Sequence, residues 1–173
     1  FKVVLLKKLM VTMQRTIKLT LPSNDSLFRT VTTYNAVCNG VLKVGFSVKT
    51  FSRNRLHQLT YRGIRQKYPQ LQASMVQCLR DQACDMLKRE ELKRLPFKKP
   101  YSSIRYNQRM FTPYLEKNTI SLCTVDGRIR FHFAFPQYFK RYKAWTVKSV
   151  TVSFDRNIQR FRLHLVVEDG TPP

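Results

Sequence analysis

The sequence predicts an α+β fold, an antiparallel β-barrel or sheet interrupted by an inserted helical region. Three observations predict it. Before residue 22 and after residue 102, apolar residues alternate with polar ones, the period of a strand with one buried face. Between 23 and 95 they recur every three or four positions, the period of an amphipathic helix. Asp126-Gly127, set between two alternating runs, signals a tight hairpin, because glycine accepts the positive φ such turns require.

Taken in order, residues 1–12 read as an upstream extension. Lys7 and Lys8 interrupt the apolar run and no small-residue cleavage site follows, so it is a poor signal peptide. Nowhere does an apolar run approach the roughly 18 residues of a bilayer span. Thr16-Ile17-Lys18-Leu19-Thr20-Leu21 is expected to be a strand with Lys18 and Thr20 on its polar face, stopped by Pro22. Ser23 or Asn24 then caps a first helix, Asp25 complements its dipole, and Leu27, Val31, Tyr34, Cys38, Val41 and Gly45 form its apolar stripe to about Val44. Tyr34 and Asn35 lie where they could reach a ligand, although a Tyr on such a stripe is more often core.

A short second helix is expected to be capped by Asn54 or Thr60 and closed by Pro69. It would bury Leu56, Leu59, Ile64 and Tyr68, and its other face carries Arg53, Arg55, Arg62, Arg65 and Lys67. A third helix spans Gln70 to about Arg94 on the stripe Leu71, Met75, Cys78, Leu79, Gln82, Met86 and Leu87. Its Arg80, Lys88, Arg89, Lys93 and Arg94 nearly balance Asp81, Asp85, Glu90 and Glu91, the profile of a helix solvated and paired along its length. Residues 96–101, bounded by Pro96 and Pro100, read as a linker.

Strands are then expected at Ile104-Arg105-Tyr106 with Met110-Phe111, at Thr119 to Val125, and after the hairpin at Arg128-Ile129-Arg130-Phe131-His132-Phe133. Pro136 opens the aromatic and basic stretch Tyr138-Phe139-Lys140-Arg141-Tyr142-Lys143-Ala144-Trp145. A helix there would put Tyr138, Tyr142 and Trp145 on one face. Aromatics beside cations are what single-stranded bases stack on, and equally what a small domain uses to close its core. Val147 to Phe154 and Arg160-Phe161-Arg162-Leu163-His164-Leu165 are strands around a turn at Asp155-Arg156-Asn157, and 169–173 reads as a turn and linker.

Two of these strands are look-alikes. In each, Arg, Arg and His alternate with apolar residues, so Phe131, Phe133, Phe135, Phe161, Leu163 and Leu165 are expected to face a core. Arg128, Arg130, His132, Arg160, Arg162 and His164 would face outward. If the strands share a sheet, that face gathers like charges that destabilise it, and a bound polyanion would relieve the repulsion. The chain carries 32 Lys plus Arg against 10 Asp plus Glu, a net charge of +22, which attracts nucleic acid or an anionic surface. Four cysteines at 38, 78, 84 and 123, with no Cys-x-x-Cys, read as buried free thiols in a reducing cytoplasm. Two strand histidines without a third ligand in pattern make a poor metal site, and no nucleophile–base constellation marks a self-contained enzyme.

The ordered set Arg15-Thr-Ile-Lys-Leu-Thr-Leu-Pro22, Tyr34-Asn35, Leu59-Thr-Tyr61-Arg-Gly-Ile-Arg65, Arg105-Tyr-Asn-Gln-Arg-Met-Phe111, Ile120-Ser-Leu-Cys-Thr-Val-Asp-Gly-Arg128 and Arg160-Phe-Arg-Leu-His-Leu-Val-Val-Glu168 resembles the front half of insertion-sequence OrfB proteins, the TnpB family. No single motif is specific; the order from Met13 onward carries the likeness. It implies an RNA-guided DNA endonuclease related to type V CRISPR effectors. Residues 13–22 and 102–168 would be the wedge-like β domain and 23–95 an inserted helical recognition domain. Residues 169–173 would lead towards a RuvC-like nuclease with three acidic metal ligands and a zinc ribbon. Neither an acidic triad nor the ribbon cysteines stand in this sequence. Asp126, Asp155, Glu168 and Asp169 read as turn formers, and no cofactor is expected here, magnesium belonging to that nuclease domain.

The implied partners are guide RNA and target DNA, with no membrane and no small-molecule substrate, and the implied location is the prokaryotic cytoplasm at the nucleoid. The expected contacts are Arg128, Arg130, His132, Arg160, Arg162 and His164, joined by Arg62, Arg65, Arg105, Lys140, Arg141 and Tyr142. They would grip phosphates and read A-form shape rather than base sequence. A stand-alone structural RNA-binding protein has the same composition and is the alternative reading.

Overall fold

Strands from both ends of the described chain meet in one sheet. In the computed structural model, which describes residues 13–169, β1 (Gln14–Thr20) pairs antiparallel with β7 (Arg160–Glu168), β7 with β6 (Thr146–Asp155), and β6 with β2 (Ile104–Tyr106). The expected extension at 1–12 and the last residues of the terminal linker, 170–173, lie outside the described residues. A second antiparallel sheet has the order β3 (Phe111–Tyr114), β4 (Thr119–Thr124), β5 (Gly127–His132). Three helices, α1 (Asp25–Ser47), α2 (Arg53–Lys67) and α3 (Ala73–Arg89), stand between β1 and β2. The fold is α+β with antiparallel sheets, and both sheets stay open among the described residues.

The look-alike strands do not share a sheet. The turn at Val125-Asp126, followed by Gly127 at φ 96° opposite Thr124, folds β5 back on β4, and β4 then pairs onward to β3. β7 instead folds back on β6 through the 155–160 turn and receives β1 on its other edge, with Ile17 opposite Leu165 and Leu19 opposite Leu163. A short turn commits each strand to its sequence neighbour, so the four arginines and two histidines that a shared sheet would have gathered on one face are split in two.

The inner faces follow the alternation. Phe131, Phe133, Phe161, Leu163 and Leu165 are buried, and Phe135 is half-buried against them. They share one continuous hydrophobic cluster with Leu27, Val31, Tyr34 and Val41 of α1 and Met75, Leu79 and Leu87 of α3. Each such side chain stabilises the fold by about 1.5–3 kcal/mol. Polar ties reinforce the seam: Thr30 Oγ1 accepts the Val125 N–H at 3.0 Å, and the Cys78 thiol donates to the Arg105 carbonyl at 3.2 Å.

α1 is capped by Asn24, whose Oδ1 accepts the Leu27 N–H at 3.0 Å. Gly45 is buried where α1 meets α3 and the following loop; a Cβ there would sit 2.9 Å from the Thr50 carbonyl oxygen. The cap of α2 is Ser52, not Asn54 or Thr60, because its hydroxyl accepts the Arg55 N–H at 3.3 Å. Thr60 is buried in mid-helix and donates to the Leu56 carbonyl, while Leu59, expected to be core, is 43% exposed. α3 is shorter than expected, since Glu91 and Leu92 take left-handed φ of 51° and 58° and end it. Nor is it solvated along its length. Met75, Val76, Cys78, Leu79, Ala83, Cys84 and Leu87 are buried, and charge balance reflected ion pairing at its margins rather than exposure all round.

Candidate nucleic-acid interface

On β5, alternation turns Arg128, Arg130 and His132 to solvent. Arg128 donates to Thr112 Oγ1 at 2.9 Å and to the Arg109 carbonyl at 2.7 Å. Arg130 donates through Nε to Thr119 Oγ1 at 3.0 Å and lies over the Tyr114 ring, 4.1 Å from its centroid. All of these partners are neutral, so they fix the guanidiniums in place while leaving their charge uncompensated. Cation–π contacts between exposed groups contribute about 0.5–1 kcal/mol.

β7 carries the same residues in another setting. Arg160 is exposed at the strand's start, opposite Asp155 in register. Arg162 is half-buried with Nε 2.8 Å from Asp155 Oδ2, so its charge is largely compensated. His164 is half-buried, with Nε2 2.6 Å from Ser153 Oγ. Burial first, then the nearby cations Lys18 and Arg162, lowers its pKa below the ordinary histidine value.

The remaining expected contacts are scattered. Arg62 is exposed on α2 beside Arg55 and Lys67. Arg65 is half-buried and donates to the Leu71 carbonyl, closing the loop between α2 and α3. Arg105 is half-buried and pairs with Asp85 at 2.6 Å; that hydrogen bond is the main reason the Asp85 carboxyl sits below its ordinary pKa. Lys140 and Arg141 are exposed, but Tyr142 is buried and its hydroxyl accepts from Arg141 at 2.5 Å.

The stretch bearing them, Gln137–Tyr142, is a 3-10 helix rather than an α-helix. Its three-residue turn eclipses i and i+3, so Phe139, Tyr142 and Trp145 fall in line, with ring centroids 6.4 and 4.7 Å apart. Tyr138 is left 73% exposed, off the expected shared face.

Several residues first set aside prove structural. Tyr34 is fully buried and donates to Gln82 Oε1 at 2.7 Å. Asn35 is buried and donates to the Pro100 and Ser102 carbonyls at 2.8 and 2.9 Å. His57 is half-buried, stacked on Tyr61 and 2.7 Å from Arg80 Nη1. In the expected linker, Lys98 is buried, its Nζ donating to Gln82 Oε1 at 2.9 Å and to the Ser103 carbonyl at 2.7 Å. Burial pulls its pKa down to about 8, and it serves the crossing from helices to sheet rather than a surface.

The four cysteines are free and buried, and burial raises each thiol pKa, to about 11 for Cys38 and Cys84. Among the described residues no three of His, Cys, Asp and Glu gather as a metal would need. Asp126 meets Ser26 and Arg29, and Glu168 pairs with Lys148 at 3.2 Å. Among those residues, too, no helix is long and apolar enough to cross a membrane.

Sequence reasoning missed Tyr114 and Lys117. With Lys143 and Trp145 of the aromatic and basic stretch they line a cavity of about 410 Å³, together with Pro113, Leu115 and Val147. Only the short run Phe111-Thr112-Pro113-Tyr114 hinted at it, and the proline hid the strand. No family model matches the chain, and no curated protein matches it either.

Proposed function

We propose that this protein binds RNA and DNA through phosphate contacts, as the non-catalytic half of a transposon-associated, RNA-guided endonuclease of the TnpB kind. The observation that carries the reading is the outer face of β5. Arg128 and Arg130 stand two residues apart on one strand, roughly 7 Å along it. Neutral partners hold them, and they lie on a chain of net charge +22. Guanidiniums so placed meet neighbouring phosphates of one strand at little ordering cost. Arg160 and the α2 cations Arg55, Arg62 and Lys67 are exposed elsewhere on the chain and add to its positive field. In this reading the two sheets form the wedge-like unit, 23–95 is its helical recognition insert, and the protein works at the nucleoid. Metal-dependent cleavage belongs to a nuclease domain outside this sequence.

The test is binding of the chain to a structured RNA and to a DNA duplex of equal length, each across a salt series. RNA binding that persists at physiological salt while the duplex is released supports scaffold recognition. Equal and equally steep salt dependence for both would reduce the interaction to non-specific attraction between polyions and overturn the reading.

A further inference from the structure

The cavity beside β5 has chemistry that phosphate binding does not use. Its walls are the body of Tyr114, Pro113, Leu115, Val147 and Trp145, and Lys117 and Lys143 line it with one acid, Glu116. At about 410 Å³ it lies at the small end of the range for ligand sites, roughly 300–1,000 Å³. Two aromatic rings line it, and both are held. Trp145 packs edge-on against the buried Tyr142 at 4.7 Å, and Tyr114 carries Arg130 over its ring at 4.1 Å. A flat, apolar occupant would gain the aromatic contact, and an attached anion would gain the lysines and Arg130. An unpaired base on a phosphodiester strand joins both properties.

We infer that this cavity receives an unstacked nucleobase of a single strand, Tyr114 and Trp145 contacting the base while Lys117, Lys143 and Arg130 meet its flanking phosphates. The inference rests on the nucleic-acid reading and deepens it. One site would combine charge along β5 with stacking at its edge, the pairing that single-strand binders use. A base still paired in a duplex is stacked on both faces and cannot enter. The site therefore discriminates single-stranded from double-stranded segments of one bound RNA.

Trp145 is the only tryptophan of the chain, so its fluorescence reports on the cavity directly. The unmodified protein is titrated with a short oligouridylate and with an RNA duplex of equal length, reading tryptophan emission and the anisotropy of a dye on the nucleic acid. The single strand is expected to quench Trp145, and the duplex to bind without doing so. Tyr114→Ala is expected to weaken oligouridylate binding roughly ten-fold, and Tyr114→Phe to restore it. If the oligouridylate binds by anisotropy while Trp145 emission stays unchanged, the cavity inference fails and the phosphate reading survives. Equal quenching by the duplex overturns it as well. If neither nucleic acid binds at all, the broader reading fails and takes this one with it.

Discussion

β5 and β7 spell almost the same strand and do different work with it. Both present three apolar residues to the core, and both alternate them with Arg, Arg and His. On β5 the basic face meets hydroxyls, a carbonyl and an aromatic ring. On β7 it lies in the middle of a four-stranded sheet, where Arg162 meets Asp155 and His164 is half-buried between Lys18 and Thr151. Position in the sheet decides whether a strand's charge is offered or absorbed. β5 ends its sheet and offers its charge; β7 is central and loses most of it to its neighbours.

The largest effects are expected where the two strands are alike. Phe131→Ala and Leu163→Ala each remove a fully buried side chain from the shared cluster. They should cost about 3–5 and 2–5 kcal/mol respectively in chemical denaturation. A cheap Phe131→Ala beside a costly Leu163→Ala would mean the three-stranded sheet does not unfold with the rest.

The outer faces should then separate them. Arg128→Gln with Arg130→Gln should flatten the log–log salt dependence of RNA binding by nearly two slope units, about one for each lost phosphate contact. Arg160→Gln should remove about one more. Arg162→Gln should leave the slope nearly as it is and lower stability by up to about 1 kcal/mol, since its charge is spent on Asp155. Equal slope changes on both strands would break the comparison, because pairing with Asp155 would then not matter.

Much of the fold was legible because its signals are local. Asn24 capped the first helix, Asp126-Gly127 marked the hairpin, and period two turned Phe131 and Leu163 inward, all from residues within a few positions. What failed depends on pairing between distant segments. Nothing within Arg160–Leu165 says that β1 will take its free edge, so the division of the twin strands was invisible. At α3 the buried stripe was read from Leu71, Met75, Cys78, Leu79 and Leu87, but not that its acids find cations on other elements, Asp81 and Asp85 meeting Arg53 and Arg105. The aromatic stretch misled through its period alone, since three residues per turn replaced 3.6 and exchanged Tyr138 for Phe139. Of the candidate interface, the charged residues were readable, but the neutral groups that hold them, Tyr114, Thr112 and Thr119, were not.

The smallest effect concerns the histidines, and it tests whether β7 truly absorbs its charge. His164 has cations on two sides, Lys18 across the strand pair and Arg162 along its own strand, with Ser153 at its ring nitrogen. Burial and those cations hold its folded pKa below the ordinary value, so the folded state resists protonation more than the unfolded chain does. As pH falls through about 6.5, the unfolded chain takes up the proton first, and stability is lost in that window. Above it the neutral imidazole contributes in full. His164→Gln should therefore flatten the decline in stability below about pH 6.5 while leaving the neutral-pH value close to that of the parent, as read by denaturation at a series of pH values. An unchanged decline would mean that the centre of the four-stranded sheet tolerates a third positive charge, and that β7 differs from β5 only in its pairing with Asp155.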